Sequence, residues 1–442
     1  MAEIMDQKRL KSKFGKIING ATWFLFAVSL TFNLFTFFHM ISTIEFESKV
    51  FSDIDYFHKK IRKIEVVGDN IPRVPEIYKS PPKNEYFNVF FHPEKFYLGM
   101  DFFQFYESGV LFRLGRSIYH FTKNQRLPGL PPRVSNHYPP LVIILIGVPV
   151  SFFQPWIAYG LWLLINELAL LACVFLLFKK FGYSIWITLS SIPWLISMPV
   201  RMDLRFGQIN ILIALLLILM VIFLDRKKDI QAAFAWGLGV ALKLFPLMFV
   251  FAVIRKRNRW WIAGILTFIV AINFIYFLVI PQDMNSFLGW VAGTGTFLEG
   301  SQKFLLLLTK SRLLPRIIAA CFGLCALFLT VRKQLDAVEL LILWISVYFL
   351  AYTRIWEHHY IIYYLAVSLM MSRKSHIHLL VPSVVIMLPK NVIGNGASDL
   401  VVQMIMHFIP SLWLFISICV VSFKRKNRSL NFHQLLRSTI TS

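Results

Sequence analysis

The chain has 442 residues, 57% of them hydrophobic and 16% aromatic, and its mean hydropathy is +0.62. One or two soluble domains of this length would have to show water a polar face, and this composition leaves too little of one. The formal charge of +23 raises nucleic acid as a partner. However, the Lys and Arg residues sit in short runs between apolar stretches instead of along one soluble face, so they read as membrane topology signals and no nucleic acid is expected.

In chain order, the basic segment 1–16 is expected to stay in the cytoplasm beside anionic headgroups. Segment 17–41 is long enough, at 1.5 Å per residue, to cross a hydrocarbon core of about 30 Å. It is too long for a signal-peptide core and lacks a convincing small-residue cleavage site, so it is read as a retained first transmembrane helix. Segment 42–137 is polar and broken by Pro72, Pro75, Pro81, Pro82, Pro131 and Pro132, which predicts a long outward loop. Within it, 106–121 carries Val110, Leu111, Leu114 and Ile118 at helical spacing, predicting a short amphipathic helix on the membrane surface.

Segment 138–423 holds a succession of apolar stretches. With the first helix they predict an all-α polytopic membrane protein of roughly ten to twelve transmembrane helices. The basic groups at Lys179, 226–228 and 255–259 cannot all be cytoplasmic if every stretch spans, so one or two stretches are expected to be re-entrant. The tail 424–442 is basic again and reads as cytoplasmic. Cys173, Cys321, Cys325 and Cys419 lie in apolar segments and read as small hydrophobes, with no disulfide framework and no metal site. No internal repeat of the kind common in transporters is visible.

Several polar groups interrupt this pattern. Asp101 stands in Gly99-Met100-Asp101-Phe102-Phe103-Gln104-Phe105-Tyr106; a carboxylate poorly solvated among aromatics is a stronger base, although a plain solvated loop acid fits the same letters. Arg354-Ile355-Trp356-Glu357-His358-His359-Tyr360 gathers titratable groups at the outward end of a helix, suited either to proton relay or to interfacial anchoring. Lys243 lies inside an apolar stretch, where an ammonium costs about 2.5–3.5 kcal/mol and calls for an anionic partner, unless a break near Pro246 lets it snorkel. Arg201, Asp203 and Arg205 precede Gln208 and Asn210, two amides that can bind sugar hydroxyls or neighbouring helices. Gly293-Thr294-Gly295-Thr296 lacks the Gly-Lys-Ser/Thr of a phosphate loop, so no nucleotide is assigned to it.

Taken in order, these pieces resemble the polyprenol-phosphate-mannose-dependent mannosyltransferases of glycosyltransferase family 87, in the GT-C superfamily. The resemblance runs through Gly99-Met100-Asp101 with Tyr106, His137-Tyr138-Pro139-Pro140-Leu141, Gly207-Gln208-Ile209-Asn210, Lys243-Leu244-Phe245-Pro246, Gly300-Ser301-Gln302 and Trp356-Glu357-His358-His359. It implies a GT-C-like helical bundle with a long first outward loop, a plasma-membrane location and an active site on the non-cytoplasmic side. It also implies a hexose donor carried on a polyprenyl phosphate, and a lipid or glycan acceptor. No cofactor and no obligatory metal enter. Asp101 takes the place of the family's acid, and His358 and His359 that of its His pair, as catalytic candidates. Lys243, Arg205, Arg354 and Tyr138 become candidates for the donor phosphate, and Gln208, Asn210, Gln302 and Tyr106 for sugar or acceptor. Where the family often reads Asn-Gln-Ser in the late loop, this chain has Ser301-Gln302-Lys303.

The competing reading is a multi-pass transporter or lipid flippase, with Lys243, Glu167 and the His pair along a substrate or proton path. Concentration of polar residues on one side, with one long outward loop, favours the enzyme.

Overall fold

The structure, a computed structural model, describes residues 2–50, 98–119, 138–255, 258–293, 300–332, 335–372, 377–387 and 399–422. Most of the expected outward loop, together with His137, the 294–296 stretch, Lys333, Arg373, Lys374 and the basic tail, lies outside the described residues. The described chain is helical, without a strand, as lipid demands of any backbone that must satisfy its own N–H and C=O groups.

Five helices are long and apolar enough to cross a membrane: Ile18–Ser42 (α1), Pro155–Phe181 (α4), Arg259–Val279 (α10), Leu313–Val331 (α13) and Leu400–Ser422 (α17). Met198–Phe206 (α6) and Asn210–Asp225 (α7) are long and apolar enough only when taken together, and they are bent by 114°, the geometry of a broken span or of a re-entrant loop. Pro140–Val150 (α3), Ile185–Ile196 (α5), Asp229–Leu242 (α8) and Ala337–Ala351 (α14) are apolar but shorter, and Tyr360–Met371 (α15) is buried along its whole length. Phe102–Arg113 (α2), Val250–Val253 (α9), Pro281–Gly293 (α11), Ser301–Thr309 (α12) and Leu380–Met387 (α16) complete the set used below.

Local sequence sets where these elements begin and end. Asp336 and Glu339 form a reciprocal capping box at the start of α14, with Asp336 Oδ1 accepting from Glu339 N–H at 3.0 Å and Glu339 Oε2 from Asp336 N–H at 2.9 Å. Ser184 caps α5 by accepting from Ile187 N–H. Gly207 ends α6 in the left-handed region, φ 69°, and that turn produces the 114° bend.

The segment 229–258 enters and leaves at the same end of the bundle. Asn258, just before α10, donates to the carbonyls of Asp229, at the start of α8, and of Val253. Halfway along, Trp236 Nε1 donates to the Pro246 carbonyl at 2.8 Å, so the descending piece runs back beside the ascending one. Lys243, extended at φ −156° and ψ 138°, is therefore at the tip of a re-entrant hairpin and not in the middle of a spanning helix.

This hairpin resolves the conflict among the basic groups. Lys180 at the end of α4 pairs with Asp225 at the end of α7, 226–228 adjoin Asp229, and Arg255 and Arg259 flank Asn258. All three groups thus share one end. Tyr159, near the other end of α4, is about 30 Å away at 1.5 Å per residue.

The amphipathic surface helix expected over 106–121 is corrected. The helix runs instead over Phe102–Arg113, and every residue from Phe102 to Val110, with Leu111, is buried. Phe102 and Phe103 pack on Trp156, Tyr159 and Trp162 of α4, and Gly109 meets Gly147 of α3 backbone to backbone. Such small-residue contacts are how helices close in lipid, where hydrophobicity supplies no drive to associate. A Cβ at Gly109 would stand 2.0 Å from the Gly147 carbonyl oxygen. Gly109→Ala is therefore expected to destabilise the protein by about 1–3 kcal/mol or more, read as a lowered melting temperature in detergent. An unchanged melt would show that α2 and α3 do not approach so closely.

Candidate active site

Three breaks in regular structure converge at the end of the bundle opposite the basic groups. The first is the short stretch before α2. Gly99 N–H donates to the Arg205 carbonyl at 2.8 Å and Asp101 N–H to the Phe206 carbonyl at 2.9 Å, which fastens this stretch to the turn between α6 and α7. Tyr159 O–H and Trp162 Nε1 of α4 hold the same turn through the carbonyls of Arg205 and Gly207, at 2.5 and 2.8 Å.

Asp101 is half-buried, and both its oxygens accept hydrogen bonds. Gln208 Nε2 donates to Oδ2 at 2.6 Å and Gln104 Nε2 to Oδ1 at 2.9 Å. Tyr138 O–H donates to Gln208 Oε1 at 3.0 Å, which fixes the amide with its nitrogen toward the carboxylate. Each carboxylate oxygen retains a lone pair for a further donor. Burial pushes the Asp101 carboxyl up from 3.8 to about 6, against the opposing influence of Gln208, the Lys243 charge and Gln104.

The second break is Lys243. Its Nζ donates to Asn210 Oδ1 at 3.2 Å and lies 3.1 Å from His359 Nε2. The third break is the turn Glu357–His359 between α14 and α15. Here Trp356 N–H donates to His359 Nδ1 at 3.3 Å, and the ring also bonds the Arg354 backbone. A ring whose Nδ1 carries the proton presents the Nε2 lone pair to an ammonium. The opposite tautomer would aim N–H at Lys243 and require an uncharged amine. The Trp356 bond needs Nδ1 as acceptor and a Lys243 ammonium needs Nε2 as acceptor, so a neutral ring makes one of these two bonds at a time.

That arrangement separates the two histidines. His359 has its outward nitrogen engaged by Lys243. His358, against Phe206 and the His359 ring, is pushed down to about 3 by burial and the Lys243 charge. A group near 3 is a far weaker base at neutral pH than one near 6, so of the three catalytic candidates Asp101 is the best placed to take a proton.

The remaining candidates divide. Tyr138, Gln208 and Asn210 join the cluster, although Gln208 and Asn210 are engaged with Asp101 and Lys243. Arg205 is buried beside Tyr159, and half-buried Arg354 lies in the loop before His358. Tyr106 instead donates its hydroxyl to the Phe153 carbonyl at 2.8 Å, and Gln302 donates to the Leu350 carbonyl at 2.7 Å. Both amide and phenol are thereby tied to backbone. Two residues without a role in the sequence reading enter the site: Gln104 on Asp101, and Asp203, whose carboxylate accepts from Asn210 Nδ2 at 2.7 Å and from Ile211 N–H at 3.2 Å. The only sequence signal for Gln104 was its place one helical turn from Asp101. Among the described residues no three His, Cys, Asp or Glu side chains form a metal-binding group.

The described fold is a polytopic helical bundle whose broken helices bring Asp101 and Lys243 to one end. Residues 136–372 match the family model of glycosyltransferase family 87, more than half of the chain, and the chain belongs to that family. The matched region contains Tyr138, Gln208, Asn210, Lys243 and both histidines, while Asp101 precedes it. No curated protein and no solved structure matches the chain.

Infrared difference titration of the wild type against Asp101→Asn should show a carboxyl that loses its proton near pH 6 instead of near 3.8. Because the Gln208 amide stabilises the ionised form, Gln208→Leu should move that midpoint upward. A midpoint near 3.8 in the wild type would mean that Asp101 is fully solvated.

Proposed function

We propose that this glycosyltransferase moves a hexose, mannose by the family resemblance, from a polyprenyl-phosphate donor to a hydroxyl of a lipid- or glycan-linked acceptor. The reaction takes place on the non-cytoplasmic side of the plasma membrane. The observation that supports this most directly is that Asp101 lies within the electrostatic influence of Lys243, a carboxylate and a cation at the end of the bundle opposite Lys180, 226–228, Arg255 and Arg259. Basic groups mark the cytoplasmic end of a membrane protein.

In the proposed reaction the acceptor oxygen attacks the anomeric carbon from the face opposite the phosphate. The bond from that carbon to the phosphate oxygen breaks, with its electron pair going to the phosphate. Asp101 takes the acceptor proton, the lipid monophosphate leaves, and the anomeric configuration inverts. Lys243 meets the negative charge that grows on the departing phosphate, an interaction stronger in the transition state than in the ground state. His359 holds the Lys243 ammonium in place.

The experiment uses purified protein in liposomes, a radiolabelled polyprenyl-phosphate mannose and membrane-extracted acceptors. Label should appear in a product chemically distinct from the donor. Asp101→Asn keeps the shape and removes the base, and should slow transfer by about 10²–10⁴-fold. Lys243→Met should slow it by about 10²–10³-fold. Wild-type turnover by the Asn variant would remove Asp101 from the mechanism, and label that crosses the bilayer without changing its chemical form would point to transport.

A further inference from the structure

Asp203 is a wholly buried carboxylate for which the reaction above has no use. It stands on α6, across the Gly207 turn from α7, and its two oxygens accept from the Asn210 side chain and the Ile211 backbone, at 2.7 and 3.2 Å. One role is evident: the bond to Ile211 N–H satisfies a donor in the first turn of α7, the ordinary service of a helix cap.

The bond to Asn210 does something a cap does not require. A primary amide has a donating and an accepting end, and a carboxylate can only accept. Asp203 therefore draws the Asn210 nitrogen toward itself and turns the amide oxygen outward, where it lies 3.2 Å from Lys243 Nζ. With the amide reversed, an NH₂ group would face the ammonium and repel it. Among the described residues the ammonium has two hydrogen-bond partners, Asn210 and His359, so one of its three N–H groups remains for a ligand. Lys243 is half-buried, and so within reach of one.

We propose that Asp203 is a positioning residue which, by fixing the orientation of the Asn210 amide, holds the Lys243 ammonium where its remaining N–H meets the phosphate of a lipid monophosphate. The inference rests on the reading that Lys243 faces the donor phosphate.

The test compares inhibition of the purified protein by a polyprenyl monophosphate and by the uncharged polyprenol of the same length, with a thermal melt of each variant. The wild type should prefer the phosphate, and Lys243→Met should abolish the preference. Failure of either outcome rejects the phosphate role of Lys243, and this proposal with it. Asp203→Asn keeps volume and a capping oxygen but can donate as well as accept, so it no longer dictates the amide's orientation. It should reduce the preference about tenfold, roughly what one hydrogen bond to a charged group is worth, at an unchanged melting temperature.

Asn210→Leu should cause a similar loss, and the double variant should be no worse than either single, as expected of residues acting in series. If Asp203→Asn retains the wild-type preference within about twofold while Asn210→Leu loses it, Asp203 is only a cap and the proposal fails. It also fails if the two losses multiply. Should Asp203→Asn not fold, Asp203→Ser takes its place, because its hydroxyl can cap Ile211 N–H yet both donates and accepts and so does not dictate the amide's orientation: loss of preference supports the proposal and retention overturns it.

Discussion

Two backbone hydrogen bonds, from Gly99 N–H to the Arg205 carbonyl and from Asp101 N–H to the Phe206 carbonyl, govern the geometry of the whole site. They join a stretch that follows the long first loop to a turn inside a bent helix pair, more than a hundred residues later in the chain. Neither partner could approach so closely with ordinary side chains. Gly99 and Gly207 both take φ near +69°, and a Cβ at either would fall within 2.7 Å of the Phe103 or Phe102 ring system or stem. The carbonyls that accept these bonds are free to do so because α6 ends at Gly207 and its last turn has no following helix to bond with. The same interruption that bends the pair thus supplies the acceptors that seat Asp101.

Polar groups at this depth are tolerated because they answer one another. Irregular backbone survives within a membrane protein only where protein or a water-filled cavity surrounds it, and here each break presents its groups to the other two. The Asp101 carboxylate takes the amides of Gln104 and Gln208; Asp203 takes Asn210 and a helix N–H; Lys243 takes Asn210 and His359. Removing one member of such a network leaves its neighbour buried without compensation, which costs more than the bond itself contributed. The breaks at 98–101, 243–244 and 354–359, with the Gly207 turn that seats the first, are therefore parts of one polar device, although distant connections supply them.

Much of this organisation was legible in the residues. Hydropathy gave the helical class, but of the ten to twelve crossings expected, five described helices, or six with the bent pair, are long and apolar enough to span; the conflict among Lys179, 226–228 and 255–259 pointed to a re-entrant stretch. The surface helix at 106–121 was misjudged because α2 is apolar almost all round: Val110 and Leu111 suggest a stripe, but Phe102, Phe103, Phe105 and Tyr106 bury the remaining faces. Such a helix belongs inside, between α3 and α4. The candidate site was legible as a set of residue types but not as a set of roles. Gln208 and Asn210 look alike as amides beside a sugar, yet one is turned by Tyr138 toward a carboxylate and the other by Asp203 toward an ammonium. Those orientations depend on residues 70 and 7 positions away, and no local pattern encodes the first of them. Tyr106 and Gln302 fail to join the cluster for a related reason: a free carbonyl at a neighbouring helix end, Phe153 or Leu350, claims each side chain first.

The two ends of the bundle differ in kind, and this difference bears on direction as well as on chemistry. At one end the basic residues lie on connections, where their charges meet water or headgroups; Arg226 and Lys227 are exposed. At the other end the charged groups are drawn inward, mixed in sign, and hydrogen-bonded to side chains from different helices. Charges of the first kind orient a chain in a membrane by attraction to anionic lipid. Charges of the second kind do little for orientation, since a carboxylate and an ammonium held together present almost no net field at a distance, but they create a strong local one. A ligand between Asp101 and Lys243 would feel a carboxylate on one side and a cation on the other. This suits a reaction in which a proton leaves one substrate while negative charge accumulates on the other. The hairpin 229–258 links the two regimes within a single segment: its ends lie among the orienting charges, and its tip delivers Lys243 across the bundle to the inward-drawn ones.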